Sequence, residues 1–139
     1  MKKLFLIFSV ILIVNFPAVL SQTGNQAEIY LLTCSPGAET YSIYGHSALR
    51  IVIPENQSDI VYNWGLFDFD TPNFAWKFAK GRLEYILGTE SLERFLQGYF
   101  YEQRYVFSQR INLEPDETEK LLVLVAENLR PENRKYRYD

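Results

Sequence analysis

His46 is the only histidine of the chain, and Cys34, twelve residues earlier, is its only cysteine. Imidazole is the one side chain whose unperturbed pKa lies near neutrality, and a thiolate activated by it is a good nucleophile for acyl transfer. Gly45 precedes His46, and Tyr44 and Ser47 flank the two. His46 is therefore a candidate general base, with Tyr44, Gly45 and Ser47 as candidate lining of a substrate site. The plainer role for His46 is a strand cap whose ring bonds a carbonyl. For Cys34 it is a small buried residue closing a strand, as lone cysteines commonly are. That role is preferred for Cys34, because no helix N-terminus follows it to lower its pKa.

A histidine base needs a neighbour that fixes its tautomer, as an amide or carboxylate does in papain-like sites. Asn63 is the first choice and Asp68 the second. Their plainer roles are a backbone bond for Asn63 and support of a turn for Asp68 and Asp70. The Asp68–Asp70 pair read as glycosidase carboxylates is a weak signal, since residues one apart in extended chain point oppositely. One histidine and scattered carboxylates imply no metal site, and no cofactor is implied. The chain has no Gly-x-Ser-x-Gly elbow and no phosphate loop.

These residues must be held by strands. Residues 28–33 read as a strand ended by the turn at Pro36-Gly37. Residues 46–53 alternate Leu49, Ile51 and Ile53 against His46, Ala48, Arg50 and Val52, both sets largely apolar, which predicts a central strand. Residues 60–66 form the next, with Asn63 and Gly65 on a small, roomy face. Thr71 as N-cap, Pro72 at the first position and Gly81 after the end predict a helix carrying Phe74 and Phe78 on one side. Residues 83–87 read as a short strand ended by Gly88, and Ser91 caps a helix with Leu92, Phe95, Leu96 and Tyr99. A strand over 104–113 and a helix from Pro115, with Leu121, Leu122, Val125 and Leu129 as its stripe, complete the pattern. The segment Tyr136-Arg137-Tyr138-Asp139 has no stop signal and is expected to lead into further structure.

With 47% hydrophobic residues in 139, the chain can bury the core of one domain. Residues 1–21 read as a signal peptide: Lys2 and Lys3, an apolar run over 4–14, and Val19 and Ser21 before a cut. That run is about half of the ~20 residues needed to span a bilayer. Residues 22–139 are the expected domain, and its one cysteine excludes an internal disulfide. Removing Lys2 and Lys3 leaves 12 of the 14 basic residues against 17 acidic, a balance of −5. With no basic stripe, nucleic acid is not an expected partner.

The segments Leu31-Leu32-Thr33-Cys34-Ser35-Pro36-Gly37, Tyr41-Ser42-Ile43-Tyr44-Gly45-His46-Ser47-Ala48-Leu49-Arg50-Ile51 and Tyr62-Asn63-Trp64-Gly65-Leu66-Phe67-Asp68-Phe69 carry a family resemblance. So do Pro72-Asn73-Phe74, Lys77-Phe78, Gly81 and Asn128-Leu129-Arg130-Pro131-Glu132-Asn133. In order, they resemble the periplasmic N-terminal domain of the Lnb-type lipoprotein N-acyltransferases of Bacteroides-like bacteria. The resemblance runs from about residue 28 onward. It implies an α+β fold, an antiparallel sheet with packed helices in permuted papain-like (NlpC-type) order, C-terminally incomplete here. It implies transfer of an acyl chain from a lipoprotein's own glyceride or a phospholipid to an N-terminal cysteine amine. The family's histidine base matches His46, while its nucleophile is expected in an Asn-Cys motif after residue 139. The expected setting is the periplasm, close to the inner membrane. The competing expectation is a non-catalytic periplasmic module that binds lipid or peptidoglycan fragments, or a related amidase or acylhydrolase.

Overall fold

The structure, a computed structural model, describes residues 27–40, 42–68 and 70–137. The expected signal peptide and its cut site lie outside these residues, as do Tyr41, Phe69, Tyr138 and Asp139. The elements run β1 (Glu28–Cys34), β2 (His46–Ile53), β3 (Ser58–Phe67), α1 (Phe74–Ala79), β4 (Tyr85–Ser91), α2 (Leu92–Tyr101), β5 (Val106–Ile111), α3 (Pro115–Asn128) and β6 (Lys135–Tyr136). The six strands form one sheet in the order β5-β1-β2-β3-β4-β6, every pair antiparallel. The fold is α+β.

β2 is a central strand, as its two-sided apolar pattern predicts. Its odd-numbered face packs Leu49, Ile51 and Ile53 with Ile29 of β1 and with Leu121, Leu122 and Val125 of α3. Its even-numbered face places Ala48 with Leu32 and Cys34 of β1, Val61 of β3 and Phe95 of α2. A helix thus covers each face. Ile29, Ile51, Leu32 and Val61 are fully buried, and each contributes roughly 1.5–3 kcal/mol of transfer free energy.

Ser91 caps α2 as expected, its Oγ accepting the Arg94 N–H at 3.3 Å. Pro115 opens α3, and Glu114 and Glu117 close a reciprocal capping box around it. Several boundaries differ from the sequence pattern: β5 is Val106–Ile111 where a strand over 104–113 is expected, β3 begins at Ser58 and β4 at Tyr85, and two further differences have a local cause. α1 begins at Phe74, not at Pro72, because Asn73 adopts φ 59° and breaks the helical path behind it. Thr71 is not its N-cap; its N–H closes a turn onto the Asp68 carbonyl. β4 runs through Gly88 to Ser91 instead of stopping at Gly88. There Gly88 pairs with Asn63, and a side chain on it would meet Leu66 Cδ1 at 2.3 Å. The glycine serves close packing inside the strand, not termination.

Candidate active-site cleft

The β2–β3 ladder is regular from Ile53–Ser58 to Leu49–Tyr62, and the pairing is not continued beyond that point. On the other side of β3, the pairing with β4 shifts between Asn63 and Leu66. Gly65 sits in this irregular stretch with φ +89°, a backbone that β-carbon-bearing residues avoid. The strands are therefore splayed where His46 begins β2. A cleft of about 840 Å³ opens there.

His46 Nε2 bonds Asn63 Oδ1 at 2.5 Å. An amide oxygen can only accept, so Nε2 carries the proton and Nδ1 keeps the lone pair of a base. Asn63 is buried, at 5% exposure, which holds the amide in place. Gly65 packs against the imidazole: a β-carbon there would lie 3.7 Å from His46 Cε1. Gly45, at φ +78°, brings the chain so close to β1 that a β-carbon would stand 2.6 Å from the Cys34 carbonyl. One glycine thus sets the entry into β2, and the other leaves space beside the ring.

Tyr44, Gly45 and Ser47 line the cleft with His46 and Asn63, so five of the residues singled out by sequence converge. Tyr44 is almost fully exposed, at 92%. Asp68 does not join them. β3 ends at Phe67, and the exposed Asp68 accepts the Asp70 N–H in the following turn, so Asn63, not Asp68, is the side chain that bonds His46. The same turn absorbs Asp70, and neither aspartate is among the residues lining the cleft.

Cys34 faces His46 directly across the β1–β2 ladder, as the strand order predicts. Its thiol, however, belongs to the core under α2, at 3% exposure. Burial pushes the thiol pKa up and outweighs the hydrogen bond from Tyr99 and the charge of Arg104. Burial and the bond to Cys34 push the Tyr99 hydroxyl up in turn.

The cleft wall has two characters. Phe67 meets Phe78 and Tyr85 with ring centroids 5.7 and 5.2 Å apart, forming an aromatic part. Glu90, Arg94, Glu102 and Arg104 are charged residues of the wall, and the Arg104 guanidinium lies over the Tyr99 ring. Sequence reasoning passed over this second group. Tyr99 was visible only as one position of the α2 stripe, and Arg104 carries no local motif. Among the described residues, no group of three or more His, Cys, Asp or Glu converges to hold a metal.

An imidazole bonded to a buried amide thus lines a partly aromatic cleft. The model of the Lnb N-terminal periplasmic domain family matches residues 20–139. The chain belongs to that family, whose domain is periplasmic. No curated protein and no solved structure matches the chain. Among the described residues, no helix is long and apolar enough to cross a membrane.

Proposed function

We propose that this domain carries the base of a thiol-dependent acyltransferase acting on lipoproteins, in a permuted papain-like fold. The observation behind this reading is the His46 Nε2–Asn63 Oδ1 bond in a cleft whose wall is partly aromatic. His46 Nδ1 takes the proton of a cysteine thiol, and the thiolate attacks an ester carbonyl of the acyl donor. The ester oxygen leaves with the proton returned from His46, and a thioester remains. The amine of a lipoprotein's N-terminal cysteine then attacks that thioester. His46 accepts a proton from the amine and returns one to the departing sulfur, so the amide forms and the thiol is regenerated. Asn63 keeps the ring in the required tautomer throughout.

Cys34 is poorly suited to be that thiol, being buried with a raised pKa. The nucleophile on this reading comes from outside the described residues, as the family's Asn-Cys motif implies. Synthesis with a leader cut near residue 21 would put the domain in the periplasm beside its lipid-bearing substrates.

A non-catalytic lipid- or peptidoglycan-binding module is the second reading. The exposed rings of Tyr44, Phe100, Tyr101 and Tyr105 favour it. An acyl-like, thiol-directed probe on the full-length protein separates the two. Labelling that disappears in His46→Ala, and persists in Cys34→Ala, supports the acyltransferase. Labelling that ignores His46 leaves the binding module.

A further inference from the structure

Arg104 is a buried cation in the cleft wall that the acyl-transfer chemistry leaves unused. The chain leaves α2 through Gln103, whose φ of 54° turns it sharply. The Arg104 guanidinium then lies over the Tyr99 ring, 4.6 Å from its centroid. Nε donates to the Ser35 carbonyl at 2.8 Å, and Nη1 donates to Glu102 Oε2 at 2.7 Å. Nη2 is buried and has no partner; among the described residues it is the one buried side-chain nitrogen or oxygen in that state. The side chain as a whole is 6% exposed.

A buried donor without an acceptor carries an uncompensated desolvation cost, and native structures keep few of them. A bound ligand would supply the missing acceptor. The guanidinium fork matches two oxygens of one tetrahedral or planar anion, giving parallel bonds from two nitrogens. Glu102 engages only one of them, and its carboxylate is 50% exposed. It is a displaceable cover on the fork. Arg94 is a second cation lining the cleft, which Glu90 and Glu102 also line. The aromatic part, around Phe67 and Phe78, suits hydrocarbon.

We propose that Arg104 is a phosphate-binding residue of the cleft, so that the ligand is an amphiphile with a phosphodiester head and acyl chains. On binding, the phosphate displaces Glu102 and takes both Nη1 and Nη2, while the chains lie toward the aromatic part. The inference rests on the acyl-transfer reading and narrows its donor. A glycerophospholipid carries the phosphate, and the glyceride of a lipoprotein does not.

The test compares three soluble probes: dihexanoylphosphatidylcholine, dihexanoylglycerol and inorganic phosphate. Binding is read from tryptophan fluorescence, since Trp64 lines the cleft. The phospholipid is expected to bind about tenfold tighter than the diglyceride, the scale of a charge-assisted bond pair. Arg104→Gln should erase that difference, and Glu102→Gln, which removes the competing carboxylate, should widen it. Should Arg104→Gln fail to fold, the Glu102→Gln result decides: an unchanged preference overturns the proposal. Equal binding of the two lipids by the unaltered protein overturns the phosphate subsite and leaves the acyl site standing. Binding of neither lipid overturns both readings. Inorganic phosphate binding as tightly as the phospholipid overturns the lipid source in favour of a free anion.

Discussion

β2 and β3 hold two polar pairs on the same face of the sheet, and the pairs have opposite surroundings. Arg50 grips Asp59 with two bonds of 2.7 Å inside a regular ladder, and the Tyr30 ring lies under the guanidinium at 4.9 Å. His46 reaches Asn63 by a single bond where the ladder is no longer continued, between two glycines at positive φ. The first pair is bidentate and closed on itself. The second leaves a ring nitrogen unspent and faces a cleft. The lesson is general: a polar pair becomes a candidate site when the backbone around it gives up regular pairing to make room. A saturated pair in an intact ladder reads as structure.

The largest expected effect breaks the second pair. On the proposed reading, His46→Ala should lower acyl transfer by on the order of a hundredfold or more, the scale of general base catalysis. Its melting temperature should stay near that of the unaltered protein, whereas a structural cap would show the reverse. Cys34 sharpens the contrast between reactive and merely adjacent groups. In the native protein it should alkylate with iodoacetamide on the order of a hundredfold more slowly than in urea, because reaction requires opening of the core. Equal rates would mean that the thiol is accessible and back in contention as nucleophile.

Asn63→Ala should cost about tenfold or more in transfer rate, while Asn63→Asp, which keeps an acceptor oxygen, should retain more of it. Steady-state rates on the two variants give the ranking, and an inverted order would remove Asn63 as orienter. Gly65→Ala places a β-carbon at φ +89° and should destabilise by about 1–3 kcal/mol in a denaturant titration. The smallest effect belongs to the saturated pair. Arg50 holds the Asp59 carboxyl below its usual range, chiefly by hydrogen bonding. Because the folded pKa is depressed, the contribution is full above the unfolded value of about 3.9 and is lost as pH falls through the folded one. Asp59 is 38% exposed, so Asp59→Asn should cost less than about 1 kcal/mol at neutral pH. Its stability curve should meet that of the unaltered protein in strong acid, with transfer activity unchanged.

Much of this contrast was legible in the residues. Alternation in 46–53 placed His46 and Ala48 on one face and Leu49, Ile51 and Ile53 on the other, as the two core clusters have them. The small face of β3 pointed to Asn63, since a lone amide beside Gly65 leaves volume unfilled. For Asp68 the structure shows the plainer role read from the sequence, support of a turn: its Oδ1 accepts the Asp70 N–H two residues on. Asn73 hid the start of α1, since an asparagine in left-handed geometry carries no mark that outweighs Thr71-Pro72. Arg104 was out of reach, because its partner Ser35 lies 69 residues away and nothing local announces a buried guanidinium.

On the proposed reading, His46 is a base whose proton sits on Nε2, held there by Asn63. Because His46 is the only histidine of the chain, long-range nitrogen–proton NMR of the imidazole reads it without assignment ambiguity. At a pH where the ring is neutral, the expected spectrum is that of the Nε2–H tautomer with a bare Nδ1, and that preference should be lost in Asn63→Ala. An Nδ1–H tautomer, or a spectrum indifferent to Asn63, would contradict it.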